Sequence, residues 1–376
     1  MALPIERHAV AQPGSPANGP TYGRYFTAIQ AYLQGDGWTA ITEAAGRILN
    51  RPVRSADIKH LDIHLVKHGA LYHPARVTVH VNGDRIPMAL NVAAGSDGHR
   101  VIRREYDLLQ RLNREYKASF IPKVYGCGQG RPGDGQPAME MFLAQWFDGY
   151  YEFHISGTGE ADRHWRIWDD DHGHRSLTPR QIGDVFRQAA QILTYYLNPV
   201  SFETVLDWHH AAGDFVLRPT ANGVQVRLIT IRRYAPFLQW QEQRPPSVEE
   251  LLEALTLFLL RTSLWLRMDR LDGVGELVWA GDLVLGPIWD GFVHGLNAGV
   301  QVHDLPVELA TAAVAYVAAH PDCEMAATGT RMVDQWIIPE PEKRLIRRHL
   351  STHIEALMAI VRAGHPGTPS NGLTTP

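Results

Sequence analysis

The stretch "DWHHAAGD", residues 207 to 214, puts two adjacent histidines between two acids. An imidazole with an ordinary pKa of about 6.5 can accept a proton near neutral pH, and a carboxylate can hold a hard cation. His209, His210 and Asp214 are therefore the first catalytic candidates, and Asp214 the first metal ligand. Adjacent side chains on an extended chain point to opposite faces. His209 and His210 serve one ligand only where the backbone turns; otherwise one bonds the loop backbone and the other is solvated. Arg232 and Arg233 follow a hairpin-like stretch and supply charge for a phosphate or a carboxylate.

Two other groups raise the same question. His60, His64 and His68 recur every four residues in "DIKHLDIHLVKHGALYH". On a helix they would stack as a zinc or nickel stripe. The β-branched neighbours favour a strand, where successive members of the set lie about 13 Å apart. One strand cannot bring them to one metal, so they read as scattered histidines. The run Asp169, Asp170, Asp171, His172, His174 lacks the alternating spacing of a calcium loop and reads as a solvated insertion.

The elements that position these residues follow from periodicity. "YFTAIQAYLQGDGWTAITEAAGRIL" has the mixed three-and-four spacing of amphipathic helices. "IKHLDIHLV", "ARVTVHV" and "RIPMALNVA" read as strands of an antiparallel meander, with the hairpin signal "NGD" between the last two. A helix over "GHRVIRREYDLLQRLNREY" and two strand-like runs, "FIPKVYGCGQG" and "AMEMFLAQWFDGYYEFHIS", come next. Residues 157 to 179 read as an exposed polar insertion. The helix "TPRQIGDVFRQAAQILTYYL" opens on a Thr cap and a Pro, and from Ser247 onward nearly everything is helical.

Composition narrows the function classes. A formal net charge of -4 over 376 residues gives no basic field for nucleic acid or an anionic membrane. Two cysteines, Cys127 and Cys323, cannot build a disulfide framework, so a reducing cytoplasm is the expected setting. No run approaches the roughly 18 apolar residues of a bilayer span. The arm over 1–20 and the Gly/Pro-rich tail over 365–376 read as flexible.

Strands, helix, strands, helix, loop with short strands, then many helices: this order resembles the protein-kinase-like fold, in its aminoglycoside phosphotransferase and choline kinase branch, over roughly residues 55 to 350. The resemblance implies an α+β, two-lobed protein, with a small β-rich N-lobe over 21–150 and a larger, mainly helical C-lobe over 151–364. It places Gly69 in the turn over the ATP phosphates, beside the bulky Tyr72 and His73. Asn91 stands where the family carries a phosphate-gripping lysine, and Glu105 where it carries that lysine's partner. Arg76 or Lys67 would have to reach the phosphates instead. "FLAQWFDG" matches the hinge strand, so Trp146, with Trp208, would line the nucleotide cleft. In the catalytic loop over 207–236, His209 falls on the catalytic Asp and Asp214 on the metal-binding Asn. Thr230 takes the place of the metal-binding Asp.

The electrostatic clamp of phosphoryl transfer is therefore mostly missing. The expected function is a pseudokinase-like binding or regulatory protein with a remodelled cleft for ATP or another nucleotide, contacted by Gly69, Arg76, Glu105, Trp146 and Arg232. The alternative is an atypical phosphotransferase or nucleotidyl-transfer enzyme with His209 as base and Asp214 on magnesium or manganese. A further alternative is a non-catalytic scaffold, with its protein partner on the C-terminal helix or on the 157–177 segment.

Overall fold

The computed structural model describes residues 21–364 apart from 70, 94, 134, 160–161, 170–171, 210–212 and 239–245. The expected arm, the expected tail, His210, Asp170 and Asp171 lie outside the described residues. The chain is α+β and divides into two units, Met1–Asp148 and Gly149–Pro376.

The first unit is built on one antiparallel sheet. α1 (Tyr22–Leu49) precedes β1 (Ile58–Leu65), β2 (His73–Val81) and β3 (Asp84–Ala93); α2 (Ser96–Glu115) leads to β4 (Val124–Gly130) and β5 (Met139–Gln145). The strand order is β1-β2-β3-β5-β4. The hairpin predicted at "NGD" forms because Asn82 (φ 49°) and Gly83 (φ 98°) both take left-handed backbone, whose twist matches the flanking strands. It pairs Val81 with Asp84, which fixes the register of β2 against β3. One sheet face then presents Ala75, Val77, Val79, Val81, Ile86, Met88 and Leu90, all buried against Tyr25, Ile29, Leu33 and Ile41 of α1. α1 is two helical arms, broken over Gly35–Trp38, where Asp36, Gly37 and Trp38 have φ of 48°, 67° and 73°. α2 buries Ile102, Glu105, Leu109 and Leu112, one stripe at helical spacing.

The second unit contains β6 (Glu152–Ser156), β7 (His164–Trp168), β8 (Arg175–Ser176), α3 (Pro179–Tyr195), β9 (Glu203–Leu206), β10 (Phe215–Thr220), β11 (Gly223–Leu228) and β12 (Arg233–Pro236). It continues with α4 (Val248–Leu266), β13 (Met268–Arg270), β14 (Leu277–Trp279), α5 (Leu285–Val302), α6 (Leu309–Ala319), α7 (Asp322–Gln335) and α8 (Glu340–Arg362). α3 and α4 both open on capping boxes, Thr178 with Gln181 and Ser247 with Glu250. α3 packs on α5 at close range because Gly291 and Gly295 carry no Cβ. A side chain at Gly291 would meet the Arg187 carbonyl, and one at Gly295 the Gln191 carbonyl at 2.6 Å.

Two sequence expectations need correction. The run over 139–156 is two strands, one in each unit. Within 157–179, His164–Trp168 and Arg175–Ser176 join β6 in a three-stranded sheet, so the segment is solvated only in part, with residues 172–176 exposed. In "HWRIW" the period-two alternation buries Trp165 and Ile167, a signal masked by the surrounding polar residues. Asp169 is 1% exposed and accepts hydrogen bonds from the His172 backbone (3.0 Å) and from Arg175 (3.3 Å). Among the described residues no helix is long and apolar enough to cross a membrane.

Candidate functional site

The loop between β9 and β10 is held from both sides. β9 pairs antiparallel with β12, Leu206 opposite Arg233, while β10 and β11 form the hairpin expected ahead of Arg232. Chain connectivity thus delivers Arg232 and Arg233, just past the hairpin, back to the loop that precedes it.

Asp214 is the point on which the loop closes. Its carboxylate is 1% exposed and takes a two-pronged bond from Arg232, Nη1 to Oδ2 at 2.7 Å and Nη2 to Oδ1 at 2.7 Å. The His209 backbone N–H donates to Oδ2 at 2.8 Å, and Arg232 Nη1 also donates to the Asp207 carbonyl at 3.0 Å. A guanidinium fork matched to a carboxylate is the strongest common form of charge-assisted pairing. Both Asp214 oxygens are engaged, and Thr230, 7% exposed, brings only a neutral hydroxyl. Magnesium needs anionic oxygens at about 2.0–2.1 Å in a near-ideal octahedron. Asp214 with Thr230 does not fit it, because the Asp214 carboxylate is already neutralised by a cation.

His209 turns its ring edge-on to Trp265, centroids 5.3 Å apart, and Trp265 Nε1–H donates to the Trp208 carbonyl at 2.7 Å. Trp208 is 8% exposed and packs edge-on against Phe215, so it is a core residue. Asp207 takes a left-handed backbone (φ 59°) and places its carboxylate 3.1 Å from Arg233 Nε. Gly213, at φ +69°, is confined by the Glu152 carboxyl, where any Cβ would collide. His210 lies outside the described residues.

Beside this loop the second unit holds a cavity of about 770 Å³, open to solvent on one side. Asp207 and Arg233 line it from the loop side, Arg261 and Trp265 from α4, and Arg331 and Trp336 from the end of α7. Arg261 is half-buried, with its guanidinium over the Trp336 ring at 5.0 Å. Desolvation and the neighbouring Arg233 pull its pKa down to about 10, against the opposing pull of Asp207. Among the described residues it has no carboxylate at ion-pair distance. A guanidinium in such a place gains by meeting an anion. Sequence reasoning reached Asp207, Trp208 and Arg233 and missed Arg261, Trp265, Arg331 and Trp336. The stretch with Arg261 and Trp265 reads as an apolar core helix and the one with Arg331 only as helical, and tertiary packing alone turns these faces towards the loop.

The first unit holds the remaining expected residues. A Cβ on Gly69 would collide with the Tyr72 carbonyl, so the "KHGALYHP" turn is tight on its own backbone. Arg76 and Trp146 occupy each other, guanidinium over indole at 5.8 Å. Glu105 is fully buried on α2. Arg103 of α2 pairs with Glu140 of β5, at 3.2 and 3.1 Å. Asn91 pairs with Phe142 across β3 and β5. His73, 3% exposed, has its pKa lowered to about 4 by burial, with His68 adding to the effect.

No protein-family model and no characterised protein sequence matches the chain. Among solved structures it is similar to a choline kinase from Cryptosporidium parvum Iowa II, with 9% identity, a TM-score of 0.36, 90% of this chain covered and 97% of the other. It is also similar to a microcompartment-associated aminopropanol kinase, with 14% identity, a TM-score of 0.30, 82% of this chain covered and 98% of the other. At TM-scores below 0.5 these overlays assign no chemistry to the site, which is read from this protein's own side chains.

Proposed function

We propose that this chain is a pseudokinase-type binding or regulatory protein whose helical unit takes a small anionic ligand without magnesium. The observation that carries this reading is the Arg232–Asp214 pair. It fills, with an internal cation, the carboxylate that the kinase-like resemblance would give to a metal. What the loop loses as a metal site it gains as one side of a cavity with Arg233 and Arg261 in its wall. About 770 Å³ suits a ligand the size of a nucleoside monophosphate, within the usual range for small-molecule sites. The Trp265 and Trp336 rings, tilted on each other at 5.0 Å, offer a planar ligand an aromatic wall. A nucleotide is thus the first ligand class to test, with its phosphate towards Arg261.

AMP and inorganic pyrophosphate serve as probes in isothermal titration of the full chain in EDTA. Wild type is expected to bind AMP, and Arg261→Gln to bind it at least tenfold more weakly, since a charge-assisted bond to a desolvated anion is lost. Equal affinity in wild type and Arg261→Gln, with the fold intact by circular dichroism, would rule the cavity out as the binding site.

A further inference from the structure

The edge of the five-stranded sheet brings together donors that the sequence separates. Asp62 and His60 lie two residues apart on β1, hence on one face of the strand. The antiparallel register sets His60 opposite His80 on β2 and Asp62 opposite Thr78. His80 Nε2 is 2.7 Å from Asp62 Oδ2, and His60 Nε2 is 4.0 Å from the same oxygen. The two imidazoles stack at 3.8 Å with their planes 18° apart. One ligand atom from each of the three residues lies within 4.8 Å of the others.

We propose that His60, Asp62 and His80 form a binding site for a divalent transition-metal cation of the zinc and nickel class, held by two imidazole nitrogens and one carboxylate oxygen. All three donors stand on paired strands, so little chain entropy is lost in assembling them. Imidazole with carboxylate suits zinc, nickel, copper or iron, while three donors of which only one is oxygen do not suit magnesium or calcium. Metal–nitrogen and metal–oxygen bonds of about 2.0–2.2 Å require His60 to swing towards Asp62. Its side chain is 59% exposed and free to do so, whereas His80, at 20%, is the fixed member. Water would complete the coordination shell. The metal takes the place of the His80–Asp62 hydrogen bond: a neutral imidazole binds through Nε2 and carries its proton on Nδ1, so only a protonated imidazole releases one on binding.

The surrounding charges set the conditions. His64 lies two residues beyond Asp62 on the same strand face, opposite Arg76. Arg85 stands next to His80 in the cross-strand row and opposes a cation. The hydrogen bond from His80 holds the Asp62 carboxyl below the usual range, against a small desolvation effect, with His80, His60 and His64 adding to it. An ionised carboxylate is the form in which Asp62 can bind a metal.

The test is competition of the tag-free full chain against a chromophoric zinc chelator at pH 7.5, with cobalt absorption as a second readout. Wild type is expected to take up one equivalent per chain, with affinity reduced at least tenfold in His80→Ala, Asp62→Asn and the exposed variant His60→Gln. His64→Ala is expected to bind as wild type does. The melting temperature of metal-free His60→Gln should match that of wild type, which separates loss of a ligand from loss of fold. Unchanged zinc uptake in His60→Gln and Asp62→Asn, or uptake that follows His64, would overturn the assignment.

Discussion

At the scale of single residues, the energetics of the site turn on Arg232 and Asp214. A buried carboxylate is costly unless its charge and its lone pairs are met, and here a fork and a backbone amide meet both. Removing the cation alone strands the anion. Arg232→Met is therefore expected to lower unfolding stability by about 3–5 kcal/mol, read from urea denaturation. The double variant with Asp214→Leu should recover part of that loss, because the stranded charge is gone while the His209 N–H and the Asp207 carbonyl still lose their partners. If Arg232→Met alone costs no more than a surface substitution, Asp214 is not closed in solution. The sequence displayed both residues, and it also suggested that Arg232 and Arg233 place charge where a metal would sit. What it could not display was pairing across 18 residues, because the return of β12 beside β9 is a tertiary fact.

At the scale of elements, local signals were the readable ones. The "NGD" hairpin, the Thr178 cap and the α2 stripe all come from chemistry within a few residues. The β6-β7-β8 sheet was hidden because "HWRIW" offers only five alternating residues among acids and histidines. His80 was overlooked as a ligand because the pairing of β1 with β2 spans the "KHGALYHP" turn, whose length fixes no register by itself. Element packing also buries a titratable group. His353 of α8 accepts from Arg267 on Nδ1 (3.2 Å), so its Nε2–H donates to Ser263 Oγ (3.0 Å), and Arg267 lies over Trp279 of β14 at 4.8 Å. Burial, with the adjacent guanidinium, lowers the His353 pKa to about 3. The unfolded chain binds that proton at about 6.5 and the folded chain resists it to about 3. Between those values the unfolded state holds more protons, so stability falls as pH falls. The contribution reaches about 1.4 kcal/mol per pH unit. His353→Gln should flatten the acid limb of a stability–pH profile from pH 7 to 4. An equally steep limb in the variant would assign it to other groups.

At the scale of the whole molecule, the chain is an α+β protein of two units with different chemical equipment. The first presents a compact sheet in which Arg76 and Trp146 stack on each other and the expected phosphate turn is tight on its own backbone. The second carries the cavity and the loop closed by Arg232. The general order of elements was legible from periodicity alone. The cavity was not, since its walls come from β9, β12, α4 and α7, separated by as much as 130 residues of chain, and no local pattern marks their convergence. The most direct test of the central claim is the melting temperature of the full chain with saturating AMP, ADP or ATP, each in EDTA and in excess magnesium. A ligand at 100 times its dissociation constant stabilises by about 2.7 kcal/mol, well within reach of the measurement. The proposed closure of Asp214 by Arg232 predicts a shift of the same size in both buffers, retained in Asp214→Asn wherever that variant folds and lost in Arg261→Gln. A shift that appears only with magnesium and vanishes in folded Asp214→Asn would contradict it, and would return the loop to metal-assisted chemistry.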